Sequence, residues 1–133
     1  MNTQYEILVV DDTLANLHLL TDLLKDEGYM VRPTRTPKMA IESALTNPPD
    51  LILLDIKMPD MDGFEVCQKL KQCKQTTEIP IIFISALQDT KDRQRGFEVG
   101  GADFIGKPVL REEVLARVAA QLELKHVRDA NND

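Results

Sequence analysis

Short apolar runs that stop on a polar residue recur along this chain, with helical patterns filling the spaces between them. Tyr5 to Val10 (YEILVV) is rich in β-branched residues and ends at Asp11 and Asp12. Leu51 to Leu54 ends at Asp55, Ile79 to Ile84 (IPIIFI) ends at Ser85, and the pair Phe104 and Ile105 stops just before Lys107. Nearly continuous apolar runs of this length read as strands buried on both faces. Met30 to Thr34 is a weaker strand, and Pro33, which removes a ladder hydrogen bond, assigns it to a sheet edge.

Between the runs, apolar residues recur at helical spacing. Leu17, Leu20, Leu23 and Leu24 form one stripe of a helix over Leu14 to Glu27, and Met39, Ala40, Ile41 and Ala44 mark another over Pro37 to Thr46. Gly28 and Asn47 close them. Phe64 to Lys71, Thr90 to Val99 and Arg111 to roughly Val127 are three more. Strict alternation of strand and helix implies right-handed crossovers and a parallel sheet covered on both faces, with functional groups at the carboxyl ends of the strands.

The 133 residues suit a single domain with its own core. A formal net charge of −6 argues against direct nucleic-acid binding or attachment to an anionic membrane. No apolar stretch approaches the roughly 20 residues of a membrane helix, and Met1 to Glu6 has no basic region before an apolar run, so a cytoplasmic protein is expected. Cys67 and Cys73 lie six positions apart in a helical segment, on different faces, and cannot bridge there. Cys67 shares the stripe of Phe64 and Leu70 and reads as a packing residue.

If the first and third strands are neighbours, Asp11, Asp12 and Asp55 meet at one end of the sheet. Two carboxylates about 4 Å apart repel by roughly 4 kcal/mol at an effective dielectric near 20, so the three must protonate, shift in pKa or hold a cation. All-oxygen ligands suit Mg²⁺, with Mn²⁺ as the alternative. Asp11 or Asp12 alone would as readily cap a helix. Ser85 and Lys107 emerge at the same sheet end and add a hydroxyl donor and a positive charge, which together suit a group with three negatively polarised oxygens. Asp55 would then be a carboxylate nucleophile forming an acyl phosphate.

At this point the chain resembles the receiver domains of two-component response regulators, from about Tyr5 to about Leu124. The resemblance is carried by ILVVDDT (Asp11, Asp12), LILLDIKMPDMDG (Asp55 to Gly63), FISA (Ser85) and GADFIGKP (Lys107, Pro108). It implies a flavodoxin-like α/β fold with a five-stranded parallel sheet of order 2-1-3-4-5. Asp55 is implied as the phosphoacceptor, and Asp12 and Asp55 as direct Mg²⁺ ligands, with Asp11 acting largely through water and the Lys57 backbone carbonyl as the remaining protein ligand. Ser85 and Lys107 would bind the phosphoryl group, and the bond from Lys107 to Pro108 would be cis, which is affordable before proline. Phe104, three positions before the lysine, would be an aromatic switch acting with Ser85. Without the resemblance, Phe104 reads equally well as a core residue.

The resemblance further implies a sensor histidine kinase or histidine phosphotransfer protein as donor, docking near the first helix and the loop after Lys107. It implies an output domain or effector outside this chain, and dimers, where formed, through the face of the fourth helix, last strand and last helix. Such a chain catalyses only its own phosphorylation and dephosphorylation. Lys57 would tune the lifetime of the modification, and His18 is expected to be an exposed helix residue. Residues 1–124 are expected to form the receiver, and 125–133 a polar tail or the start of a linker. Competing chemistries fit less well. A haloacid-dehalogenase-type phosphatase needs Asp-x-Asp after the first strand, where this chain has Asp11, Asp12, Thr13, and a dinucleotide site needs a glycine-rich loop after Val10. A receiver fold used only for interaction would be signalled by loss of Asp55, Lys107 or the acidic pair, and all are present.

Overall fold

A computed structural model describes residues 4–86 and 90–131 of the chain. The elements, in order, are β1 (Glu6–Val10), α1 (Leu14–Asp26), β2 (Met30–Thr34), α2 (Pro37–Thr46), β3 (Leu51–Asp55), α3 (Gly63–Lys71), β4 (Ile81–Ser85), α4 (Thr90–Glu98), β5 (Asp103–Gly106) and α5 (Arg111–Asn131). The five strands form one parallel sheet in the order β2-β1-β3-β4-β5. The weak strand carrying Pro33 lies at an edge, opposite Val9. Strand order reverses between β1 and β3, the point at which a doubly wound sheet opens a crevice at its carboxyl end.

Alternate strand residues point to opposite faces, and the core divides accordingly. Leu8, Val10, Ile52, Leu54, Ile81 and Phe83 face α2 and α3, whose Ala40, Ala44, Phe64, Val66, Cys67 and Leu70 cover them. Ile7, Val9, Leu51, Leu53, Ile82 and Ile84 face the other way, under Leu17, Leu20 and Leu24 of α1 and Val114, Val118 and Leu122 of α5. Of the three inner strands, β3 and β4 are buried along their whole length. That is why their sequences are apolar rather than alternating up to the final Asp55 and Ser85.

Local chemistry sets the helix limits. Gly28, at φ 99°, ends α1: its N–H donates to Lys25 O and the Tyr29 N–H to Leu24 O, which is the Schellman arrangement. The Thr36 hydroxyl accepts from Met39 N at the start of α2, with Pro37 in the first turn. Asp62 and Glu65 form a reciprocal capping box at α3.

Three features depart from the reading of the sequence. β4 begins at Ile81 rather than Ile79, although Ile79 is still buried. Cys73 lies beyond the end of α3 and is half-buried, while Cys67 is fully buried with its thiol pushed up to about 11 by burial. Met39 is exposed, because Ala40 and Ala44 already fill the narrow gap beneath α2. After Leu124, α5 runs on to Asn131, with Lys125 against Asp50 and Arg128 against Glu78. The last two residues of that expected tail lie outside the described residues. His18 is exposed on α1.

Candidate functional site

β1 and β3 are adjacent, and both end on carboxylates. Asp55 is the last residue of β3, while Asp11 and Asp12 follow β1 directly. The three offer carboxylate oxygens that all lie within 4.8 Å of one another. Asp11 and Asp55 are buried and Asp12 is half-buried. β4 brings Ser85, buried, to the same end of the sheet, paired with Gly106 of β5. The Lys107 N–H donates to Ser85 O, which ties the residue after β5 to the end of β4. From there the Lys107 ammonium reaches Asp55 Oδ1 at 3.1 Å and stands 3.7 Å from Asp11 Oδ2. The peptide bond between Lys107 and Pro108 is cis.

Gly63 determines how the chain leaves Asp55. Its N–H donates to Ile56 O at 2.8 Å. A Cβ at position 63 would overlap the Asp55 carbonyl oxygen and come within 2.9 Å of Ile56 Cα. The loop thus folds back against the backbone that carries Asp55, which only a residue without a side chain permits. Lys57, within that loop, is exposed.

Burial, and then the Asp11 charge, push the Asp55 carboxyl from 3.8 up to about 6, against the opposing pull of Lys107. Asp11 is also raised, mainly by burial. One oxygen of Asp11 accepts from Thr13 N at 2.9 Å, so this aspartate does hold the turn into α1, whereas the Thr13 side chain does not cap the helix. The other oxygen, Oδ2, is buried and accepts no hydrogen bond among the described residues. A buried acceptor without a donor costs about 1–3 kcal/mol. Three carboxylates against one ammonium leave the cluster two negative charges in excess when all are ionised. An orphaned carboxylate oxygen, an all-oxygen donor set and an excess of two charges fit a hard divalent cation such as Mg²⁺.

Phe104 is buried, not poised at the surface. Its ring packs on Phe83 with centroids 5.3 Å apart and against the edge of Phe97 at 5.6 Å, and the Arg93 guanidinium lies 5.5 Å from its centroid. α4 meets the sheet through this contact and its Gly96, the one residue of that helix that is buried among those described. On its other flank, Arg95 lies 4.6 Å over the Phe64 ring.

One part of the surroundings was not read from the sequence. An open cleft of about 460 Å³ beside Asp12 is lined by Arg35, Thr36, Met39 and Pro59. Arg35 and Thr36 follow β2, so the rule that strands end at the site would have found them had the weakest strand been followed past its last residue.

A family model described as the response regulator receiver domain matches residues 7–119. The chain is 44% identical over 123 residues to the response regulator PleD of Caulobacter vibrioides, covering 92% of this chain and 27% of that protein. It is 43% identical over 118 residues to the response regulator ArlR of Staphylococcus saprophyticus, covering 88% of this chain and 52% of that protein. The crystal structure of chemotaxis protein CheY4 of Vibrio cholerae superimposes with a TM-score of 0.85 at 26% identity, over 89% of this chain and 98% of CheY4. The chain thus spans about a quarter to a half of the length of these two sequence relatives. Among the described residues, no helix is long and apolar enough to cross a membrane.

Proposed function

Since this chain belongs to the response regulator receiver domain family of two-component systems, we propose that Asp55 accepts a phosphoryl group from a phosphohistidine donor in a Mg²⁺-dependent reaction. The observation that carries this reading is the convergence of four polar residues on Asp55: Asp11 and Asp12 with oxygens within 4.8 Å, Lys107 at 3.1 Å, and Ser85 at the end of the neighbouring strand. In the transfer, an Asp55 carboxylate oxygen bonds to phosphorus as the P–N bond of the donor breaks, and the imidazole leaves with the electron pair.

Each residue has a task set by its position. Lys107 holds its ammonium against Asp55 Oδ1, where the negative oxygens of the incoming group arrive, so its charge is in place before transfer and needs no rearrangement. Ser85 supplies a hydroxyl at the adjacent strand end. Asp11, Asp12, Asp55 and the Lys57 carbonyl would hold Mg²⁺. The chemistry that the ion brings when bound is neutralisation of the carboxylates and of the phosphoryl oxygens.

The rest of the reading extends from that site. The chain modifies only itself and turns over no separate substrate. Its donor is a histidine kinase or histidine phosphotransfer protein in the cytoplasm, docking near α1 and the loop after Lys107. Its state reaches an output domain or effector through the α4-β5-α5 face, which holds Phe104. Residues 1–124 act as the receiver, with the last turns of α5 leading toward whatever follows.

The test is intact-protein mass spectrometry after incubation with a small phosphoryl donor, with and without Mg²⁺, beside Asp55→Asn. A single phosphoryl adduct that requires both Mg²⁺ and Asp55 is expected. No adduct on folded protein, with a donor active on another receiver, would instead favour a module that works without phosphorylation.

A further inference from the structure

We propose that Arg35 is the leaving-group residue of the Asp55 site, and that through it this chain discriminates among small phosphoryl donors, favouring one that departs as a carboxylate over one that departs as an amine. The inference rests on the reading of Asp55 as the phosphoacceptor. Arg35 follows β2 directly, and the Asp11 N–H donates to Thr34 O at 3.2 Å, so the end of β2 is held beside the acidic end of β1. Arg35 and Asp12 then line one open cleft of about 460 Å³, together with Thr36, Met39 and Pro59.

The chain has seven arginines. Six are engaged: Arg32, Arg111, Arg117 and Arg128 in ion pairs, and Arg93 and Arg95 over aromatic rings. Among the described residues, Arg35 alone of the seven has no ion pair, side-chain hydrogen bond or ring contact. Solvation is the ordinary state of an exposed arginine. This one, however, stands on the wall of a cleft that also bears Asp12 of the carboxylate cluster, and the two charges do not pair with each other.

Position and chemistry identify what Arg35 meets. In the sheet order β2-β1-β3-β4-β5, Ser85 and Lys107 flank Asp55 from the β4 and β5 side, and Arg35 stands on the β2 side, two strand spacings or about 10 Å from β3. A donor whose phosphoryl oxygens lie against Lys107 and Ser85 has its other end free to reach toward the cleft. Lys107 is already committed to Asp55 and Asp11. Negative charge that develops on the departing group therefore calls for a second cation. In an acyl phosphate, an Asp55 oxygen bonds to phosphorus as the bond from phosphorus to the bridging oxygen breaks, and the carboxylate leaves with the electron pair. The planar guanidinium fork matches a carboxylate through two parallel hydrogen bonds. The charge it meets grows as departure proceeds, so the contact favours the transition state over the bound donor. Phosphoramidate departs as ammonia and presents Arg35 with no anion.

Time courses of phosphoryl adduct formation at saturating Mg²⁺, followed by intact-protein mass spectrometry with acetyl phosphate and with phosphoramidate, test this in wild type, Arg35→Gln and Arg35→Lys. Arg35→Gln should lower the second-order rate constant for acetyl phosphate about tenfold or more, and leave that for phosphoramidate within about twofold of wild type. Arg35→Lys keeps the charge without the fork and should fall between the two with acetyl phosphate. A purely structural role would slow both donors together, and thermal denaturation verifies that each variant is folded. An equal effect on both donors, or none on acetyl phosphate, overturns the assignment of Arg35 and leaves Asp55 as the phosphoacceptor. Labelling of the wild type by neither donor overturns both.

Discussion

The ring of Phe104 occupies the space that a side chain at Gly96 would need. A Cβ built on Gly96 overlaps the Phe104 ring and comes within 3.1 Å of Phe83 Cδ2. The helix that bears Gly96 is polar apart from Phe97, whose ring also packs on Phe104, and Gly96 is its buried residue among those described, so the Gly96–Phe104 contact limits how closely α4 can approach.

Gly96→Ala should therefore destabilise the fold, although alanine favours a helix by about 1 kcal/mol over glycine. Overpacking costs roughly 1–3 kcal/mol, so a net loss of about 1 kcal/mol is expected from urea denaturation, with Gly96→Val worse. An alanine variant more stable than wild type would mean that the ring yields freely and that α4 is not seated by it.

Asp55 makes stability depend on pH. Its carboxyl is raised from 3.8 to about 6 by burial and by Asp11. Between these values the folded state holds a proton that the unfolded chain has released. Stability attributable to this group is therefore full below pH 3.8 and is lost as pH rises through about 6. Two units correspond to at most about 3 kcal/mol, so Asp55→Asn should exceed wild type by about 1–3 kcal/mol at pH 7.5 without divalent ions, and match it near pH 4. Thermal denaturation at both pH values measures this, and equal stability at pH 7.5 would count against it. Mg²⁺ should stabilise the wild type at pH 7.5, and progressively less below pH 6, as protons compete for Asp55.

Lys107 is the one cation seen in contact with Asp55 among the described residues. Lys107→Ala should leave the fold intact and lower the rate of phosphoryl uptake from a small donor by about 10–100-fold, the scale expected for loss of a fixed electrostatic contact. Because Lys107 pulls the Asp55 carboxyl downward, its removal should also raise that pKa above 6, readable by NMR titration. An unchanged uptake rate would remove Lys107 from the site.

Gly63 lies outside the carboxylate cluster yet controls it. Gly63→Ala forces a side chain into the Asp55 and Ile56 backbone, which cannot swing aside as a flexible side chain does. We expect at least about 2 kcal/mol of lost stability and weaker Mg²⁺ affinity from the displaced Asp55, measured by denaturation and by metal titration. Wild-type affinity in the variant would show that the loop can move without carrying Asp55.

The alternation of buried strands and amphipathic helices was legible in the chain, because β1 from Ile7, β3 and β4 run as unbroken apolar stretches up to the polar residues they deliver. Pro33 sufficed to send β2 to the edge. Boundaries such as the start of β4 were less legible, because Ile79 is buried in a loop and burial alone does not distinguish loop from strand. Site residues could be named from the polar strand ends, but their meeting depended on β1 lying beside β3, which is a property of the crossovers and not of any local pattern.

By itself, then, the sequence determined which side chains are offered at the carboxyl ends of the strands, since period and polarity are local and survive in a linear reading. Only the tertiary structure decided their electrostatics: the burial that raises Asp55, the orphaned oxygen of Asp11, and the 3.1 Å contact that joins Lys107 to Asp55 across 52 positions of chain. It also decided that Phe104 is enclosed by Gly96, Phe83 and Arg93, and that Leu124 and Val127 stand exposed on a continuing helix. These depend on distances between segments remote in sequence, and such distances exist only once the chain has closed on itself.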